Sequence, residues 1–471
     1  MIVRSSDTLQ NGRPSEKMLG SVIAEHQQNL PRLEKLRSYY MADSAILKRS
    51  RSAGQPNNKV AHPFARYITT VATGYLIGEP VSYSVKDDSA ALDGLTDVYR
   101  RANIESVDLE NARNASIYGR GVEYIHLPQA AEGATAMQPC ATALDPRFAF
   151  VVYDDTYEML PLFGVYYAPK SDETGLRTGW RVWVMTGREV IRYTAVNLGS
   201  NKFSEEEVQE HFFGGVPLVE YWNDENERGD FEWIITLIDA YDKLQSDRVN
   251  DKERFVDALL VLIGCTMDND KIGRTPAQQL REDKMLSLPD GDADVRYLTA
   301  QMDENGAEIL RAALVEDIHK LSMVPNLSDK DFAANASGVA MRYKLWGLEQ
   351  LINVKQQWFT EGLRQRMKLF FNFMGMFTAK LADVADVQIT FTRALPANQL
   401  EQAQIAQTAA AADAASTETL VRILHGGENW NDERIQAEAE KIEAANKTPD
   451  LLTPFRQTNN PTAEDEAETE E

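Results

Sequence analysis

The chain of 471 residues has two cysteines, Cys140 and Cys265. A disulfide framework is therefore not expected, and a reducing compartment is. No apolar run reaches the roughly 18 residues that a membrane span requires. The longest candidate, FVDALLVLIGC at 255–265, is short and carries Asp257. The first residues, MIVRSSDTLQNGRPSEK, are polar and lack a signal-peptide core. Positive charge is also scarce: 49 Lys and Arg stand against 72 Asp and Glu, a formal net charge of −23. That balance argues against tight, general nucleic-acid binding, which needs a basic face. It leaves room for a protein that lets nucleic acid pass without gripping it. The dipeptide GK never occurs, so there is no Walker-type phosphate loop. The six histidines, His26, His62, His126, His211, His319 and His425, form neither HExxH nor an HxH pair, and read as structural or surface residues. The lone GxG in YGRG at 118–121 reads as a helix-to-strand turn. Asp87–Asp88 and Asp154–Asp155 read as solvated turn acids, and neither cysteine has an activating neighbour. No catalytic residue, metal ligand or cofactor is expected.

What is present is a fold of class α+β. Residues 1 to about 57 are expected to be helical but loosely folded, with a helix around 30–43 and a loop or linker at SRSAGQPNNK, 50–59. Pro63 opens a helix, its absent N–H being unused at that position, and Gly78 closes it before Pro80. VSYSV at 81–85 alternates as a strand. SVDLENARNASIYGRG follows as a helix with Ser106 as N-cap and Gly119 as stop. VEYIHL, RFAFVVYD, LFGVYYAP, RVWVM and EVIRYTA, within 122–221, are β-branched and aromatic runs punctuated by Gly, Pro and Asp. Residues 60–221 read as one α+β domain.

Helical periodicity returns at 231–260. Phe231, Ile234, Ile235, Ile238, Tyr241 and Leu244 form an apolar stripe. Asp239, Lys243, Ser246, Asn250, Arg254 and Asp257 form a polar stripe opposite, which reads as a solvated face. Residues 264–302 are turn-rich, with a strand signal at 295–299. Asn305 and Glu308 resemble a capping box before a helix at 307–323. Then comes PNLSDKDFAANASG, 325–338, a small and polar patch. Behind it lie 45 residues of helical pattern, 339–383, long enough to span roughly 65–70 Å, with Gly347, Gly362 and Gly375 as possible bends. The apolar end of that run, LFFNFMGMF at 369–377, must be buried on several sides. VQITFTR at 387–393 reads as a half-buried strand, and three short Ala- and Glu-rich helices follow to about residue 447. PTAEDEAETEE, 461–471, carries six acids and no base and is expected to be disordered. Taking those six acids from −23 leaves −17, so the body is acidic too. Residues alone permit a monomeric α+β enzyme, a scaffold or adaptor, or an ordinary helix–helix connection in which Ser337 caps the next helix.

Four blocks sharpen this. NNKVAHPFARYITTVATGYLIGEPVSYSV, NARNASIYGRGVEYIHL, GVPLVEYWNDENERGDFEWIITLIDAYDKLQSDRVNDKERFVDALLVLIG and SDKDFAANASGVAMRYKL occur in this order between residues 57 and 390. Together they resemble the portal proteins of tailed bacteriophages, in the siphophage-type family. The resemblance implies a ring of about twelve subunits at one capsid vertex of the virion, assembled in the host cytoplasm. Double-stranded DNA would pass through its channel without sequence readout. The large terminase subunit, a head-completion adaptor, and the major capsid and scaffolding proteins would be partners; no membrane is involved.

The resemblance also implies a division of the chain. Residues 1–56 would be an N-terminal helical, flexible segment and 57–230 the wing. Residues 231–263 and 303–324 would be the stem helices, with 264–302 between them as the clip. Residues 325–338 would be a tunnel loop pointing into the channel, with Ser328, Asp329, Lys330, Asp331, Asn335, Ser337 and Gly338 facing DNA. Lys330 is that loop's one cation. The stem's polar face would be Asp239, Lys243, Asn250, Arg254 and Asp257. Residues 339–395 would be a long wing helix and strand, 396–447 an α-helical crown, and 448–471 the acidic tail.

Overall fold

The computed structural model describes residues 1–53, 55–86, 92–128, 138–256, 259–263, 294–298, 304–327, 338–376, 383–393, 399–412, 414–425 and 432–447. The chain divides into two units, one of residues 1–333 with 343–393 and one of residues 334–342 with 394–471.

The first unit is built in layers around strand β5 (Ala149–Tyr153), AFVVY, in which every residue is buried. Side chains alternate across a strand, so β5 serves two cores at once. Phe150 and Val152 face one way, into a cluster with Phe163 and Val165 of β6 (Pro161–Ser171), Val182 and Val184 of β7 (Arg177–Met185) and Ile191 of β8 (Glu189–Ala195). Ala149, Val151 and Tyr153 face the other way, against Val122 of β3 (Arg120–His126) and Leu218 of β10 (Leu218–Trp222). The first sheet has the order β1-β5-β6-β7-β8-β9, with β1 (Ile2–Val3) parallel to β5 and β9 (Ser204–Glu210) at the far edge. The second has the order β10-β3-β4, with β4 at Cys140–Leu144. The expected strands are all here. The edge strand β9, SEEEVQE, went unseen because all its residues are exposed and carry no alternation.

The N-terminal region is not loosely folded. Helix α1 (Glu16–Tyr40) runs through Pro31, and Ser15 caps it by accepting from the Met18 N–H at 3.2 Å. Its Leu19, Val22 and Ile23 complete the first core cluster. One internal proline costs a single backbone hydrogen bond, and burial of three large apolar side chains outweighs it at about 1.5–3 kcal/mol each.

Helix α4 (Ile104–Tyr118) packs on the second sheet, and α2 (Phe64–Ile77) and α3 (Asp93–Arg101) pack against α4. Helix α4 begins after Asn103, in the left-handed conformation at φ 51°, and not at Ser106. Asn tolerates that conformation, which lets the chain turn sharply between α3 and α4. Gly119 ends α4 as expected, at φ 90°. A Cβ there would lie 2.0 Å from the Glu227 carbonyl oxygen.

Helix α5 (Ile235–Val256) is shorter than the sequence pattern. Residues 259 and 260 belong instead to β11 (Leu259–Ile263), antiparallel to β12 (Asp294–Leu298). A short apolar run such as LLVLI has no period that separates strand from helix, and the ladder decides. Helix α6 (Glu304–Ser322) starts before Asn305, so that residue is not its cap. Glu308 instead accepts from Arg311 and Arg248. Helix α7 (Gly338–Gly375) has 38 residues and not 45, about 57 Å at the standard rise. Asp383 lies beyond it and caps the short turn Val384–Asp386 by accepting from the Ala385 N–H. Strand β13 (Val387–Thr390) pairs antiparallel with β2 (Ser82–Val85).

The second unit holds α8 (Gln399–Ala411), α9 (Thr417–His425) and α10 (Asp432–Lys447), the three short helices expected, with a small core of Val421, Ile435 and Ala439. Residues 129–137, 264–293 and 448–471, including Cys265 and the acidic tail, lie outside the described residues, as do Asp87 and Asp88.

Candidate functional site

The site is the set of helices that flank residues 328–337, which themselves lie outside the described residues. Three helices build it: α5, α6 leading into the segment, and α7 leading out. Helix α5 is gripped along one side by an extended arm. The Asn58 N–H donates to Asn250 Oδ1 at 2.7 Å, the Val60 N–H to Ser246 Oγ at 2.9 Å, and the His62 N–H to Asp242 Oδ1 at 2.9 Å. The pattern follows from two periods. Two extended residues advance about 6.7 Å and four helical residues about 6 Å, so helix positions i, i+4 and i+8 meet every second amide of the arm. Helix side chains thus replace the neighbouring strand that would otherwise satisfy those donors. Tyr39 and Ser44 extend the grip, each donating at 2.6 Å, to Asp239 and Asp242 respectively. Arg49 and Arg51 both reach Asp247.

Helix α6 runs antiparallel beside α5. Arg248 meets Glu308 at 3.1 Å, and Lys252 meets Glu304. Lys252, Glu304 and Glu308 are solvent-exposed and Arg248 is half-buried. At the C-terminal end of α6, His319 Nδ1 lies 2.9 Å from the Val324 carbonyl, and the His319 ring packs edge-on against Tyr67 and Phe64 of α2. The Tyr67 hydroxyl then clamps the chain. It donates to the Pro325 carbonyl at 2.8 Å and accepts from the Leu327 N–H at 2.9 Å, one residue before the segment.

Helix α7 is fixed differently. Lys355 donates to Asp230 at 2.6 Å with both side chains buried, and Ser116 and Asn223 complete the Asp230 shell. Three turns further on, Arg366 is fully buried between Asp108 and Glu123. Its Nη2 donates to Asp108 Oδ2 and to the Tyr83 hydroxyl, each at 3.1 Å, while Asn111 donates to Glu123 at 2.7 Å. Burial pushes the Asp108 and Glu123 carboxyls up, and the guanidinium only partly offsets it. Burial would lower the Arg366 guanidinium, but Asp108 holds it well above its usual range. Gly362 sits where α7 touches the second sheet: a Cβ there would lie 2.5 Å from the Tyr221 ring. Close approach, more than bending, explains this glycine. The apolar end of α7 is buried by the same chain, with Phe370 against Tyr99 and Phe373 against Phe213.

This frame offers no redox group and, among the described residues, no cluster of His, Cys, Asp and Glu able to hold a metal ion. Comparison with known proteins identifies the family. The family described as phage portal protein, SPP1 Gp6-like, matches residues 19–448. The chain belongs to this phage portal family. The portal protein of Bacillus phage SPP1 is 23% identical over 433 residues, covering 86% of this chain and 82% of that protein. The portal protein of Clostridium phage phiCD119 is 21% identical over 400 residues, covering 79% of this chain and 84% of that one.

The portal chain places its sequence-predicted residues unevenly. Ser328, Asp329, Lys330, Asp331, Asn335 and Ser337 lie outside the described residues, and Gly338 is the first residue of α7. On α5, Asn250 and Ser246 are buried under the arm, so the middle of the polar stripe is not a solvated face. Asp239 is half-buried, Lys243 is exposed, and the Arg254 side chain and Asp257 lie outside the described residues. The histidines that are described are structural or superficial. His26 is buried, its Nδ1 at 2.9 Å from the Tyr167 hydroxyl and its Nε2 at 3.1 Å from the Pro146 carbonyl. Burial lowers it to about 3, so it stays neutral. Asp154 accepts from Thr156 and the Leu160 N–H within a turn. Sequence reasoning missed Tyr67, Lys355 and Arg366. The one available signal was a lone Lys and Arg among the apolar positions of a long helix.

Proposed function

We propose that this portal chain is one subunit of a ring at a single capsid vertex, a conduit for double-stranded DNA during packaging and ejection. The observation that carries the reading is how the described residues on either side of 328–337 are held. Tyr67 clamps the chain one residue before the segment, and a helix anchored by buried Lys355 and Arg366 begins immediately after it. A small, polar sequence between such neighbours suits light contact with a moving cargo. Asp329, Asn335, Ser337 and Gly338 offer no bidentate base reader, and Lys330 alone could touch a phosphate. DNA carries a charge about every 1.7 Å of axis, and each phosphate gripped by a cation adds affinity that the next step must break. The acidic body fits a channel that must let go.

In this reading residues 57–230 form the wing, α5 and α6 the stem, 264–302 the clip, and α8, α9 and α10 the crown. The clip would dock the large terminase subunit and later the head-completion adaptor, while the ring contacts major capsid and scaffolding proteins. The energy for translocation would come from the separate terminase ATPase, because the chain carries no phosphate loop. Electron microscopy of the purified protein tests the reading. Closed rings of about a dozen subunits with an axial hole are expected; compact single particles at every concentration would overturn it. In a reconstituted head and motor, Lys330→Glu and deletion of 328–338 are expected to impair packaging. Undiminished packaging in both would remove the segment from the mechanism.

A further inference from the structure

The buried cluster under α7 holds one acid too many. Arg366 supplies a single guanidinium, while Asp108 and Glu123 supply two carboxyls, and none of the three side chains is more than 5% exposed. Among the described residues no second cation pairs with either carboxyl. The other polar groups facing the cluster are Asn111 of α4, Tyr83 of β2, Tyr99 of α3 and Tyr221 of β10. Burial pushes all three tyrosines above their usual range, so they stay neutral. With both carboxyls ionised, a net negative charge would lie in a dry core, where it is costly.

The hydrogen bonds distinguish the two carboxyls. Arg366 is bidentate on Asp108, Nη1 donating to Oδ1 and Nη2 to Oδ2, so these two ions neutralise each other. Glu123 receives only a share of Nη1, at 3.2 Å, and Asn111 Nδ2 at 2.7 Å, both on Oε2. Its Oε1 has no hydrogen-bond partner among the described residues, and neither has Asn111 Oδ1 or the Tyr221 hydroxyl. A carboxylate and an amide oxygen can only accept, so Oε1 and Oδ1 cannot serve each other, whereas a carboxylic acid has an O–H to donate.

We infer that Glu123 keeps a proton on Oε1 in the folded protein at neutral pH, a neutral donor beside an ionised Arg366–Asp108 pair, and that losing this proton loosens α7 from the second sheet. Asn111 Oδ1 and the Tyr221 hydroxyl are the acceptors at hand. Burial raises the Glu123 carboxyl, the pull of Arg366 lowers it, and the Asp108 charge raises it again. The charge would appear where α7 comes closest to the sheet, at Gly362 against the Tyr221 ring. Nothing in this requires the chain to form rings.

Glu123→Gln copies the neutral acid and tests the assignment in the full chain. In the infrared difference between wild type and variant at neutral pH, the carbonyl stretch of a protonated carboxyl is expected to be lost; loss of a carboxylate band in its place would overturn the proton. The folding constant of wild type relative to the variant is expected to fall about tenfold per pH unit from roughly 4.3, the ordinary glutamate value, up to the folded one. A ratio that ignores pH would overturn it too. Asp108→Asn should weaken folding at least tenfold at neutral pH, because it removes the counter-ion of Arg366. A harmless Asp108→Asn beside a damaging or unfolded Glu123→Gln would move the proton to Asp108 and sink the assignment. Hydrogen exchange on wild type alone reads the second half: protection along α7, corrected for the intrinsic rate, should fall above neutral pH. Constant protection would mean that the proton does not hold α7.

Discussion

Two regions of this portal chain use the same ion-pair chemistry to opposite ends. Along α7, Lys355–Asp230 and Arg366–Asp108–Glu123 are dry. Between α5 and α6, Arg248–Glu308 and Lys252–Glu304 are wet. A buried charge deprived of its partner is costly, whereas an exposed pair contributes little. The dry pairs therefore fix where α7 lies on the sheets and admit no alternative position. The wet pairs can be exchanged at small cost, which suits helices that must meet a neighbour. In chain order, residues 328–337 come between the two regimes, after α6 and before α7.

Removing a partner from the dry side should break the comparison most visibly. Arg366→Met leaves two buried carboxyls unpaired and is expected to lower stability by about 3–5 kcal/mol, read by chemical denaturation. A loss below 1 kcal/mol would mean that the anchor is dispensable. Gly119→Ala forces a side chain into a left-handed position against the Glu227 carbonyl. It should cost about 2–4 kcal/mol, read the same way.

Acid should act through His26, buried on α1 against Phe150. Its folded value lies below the unfolded one, so its contribution is present above about 6.5 and is lost as pH falls from there towards 3. Between pH 7 and 5 the unfolding free energy should drop by about 2 kcal/mol, and an NMR titration of the ring should show no protonation in that window. Asp108 and Glu123 act in the opposite sense. Their raised values give a contribution present below the ordinary carboxylate range and lost as pH rises through them.

Tyr67→Phe sits at the boundary of the two regimes. It should cost about 1 kcal/mol and speed hydrogen exchange at the Leu327 amide, while exchange along α7 stays unchanged. Smallest of all, Lys252→Ala should leave the unfolding midpoint where it was; a clear fall would show that the wet pairs are structural after all.

Much of this was legible. β5 to β8 declared themselves by β-branched and aromatic runs, α2 by Pro63 and Gly78, and the long helix by forty residues without proline. Errors fell where local signals were silent or shared. β9 is an edge strand without an apolar face, β11 is an apolar run too short to show a period, and α1 was discounted because its apolar residues serve a core whose other half lies more than a hundred residues away. The polar stripe of α5 misled for a related reason: Asn250 and Ser246 look solvated until the arm at 58–62 is laid over them.

By itself the sequence determined the class α+β, the absence of a phosphate loop, the acidic balance, and four ordered blocks that resemble the portal family. Those properties are local or additive, and a linear reading captures them. Only the tertiary structure decided which charges are dry and which are wet, because burial depends on neighbours distant in the chain. Lys355 and Arg366 on α7 read like any other basic residues of a helix until Asp230, Asp108 and Glu123 close around them.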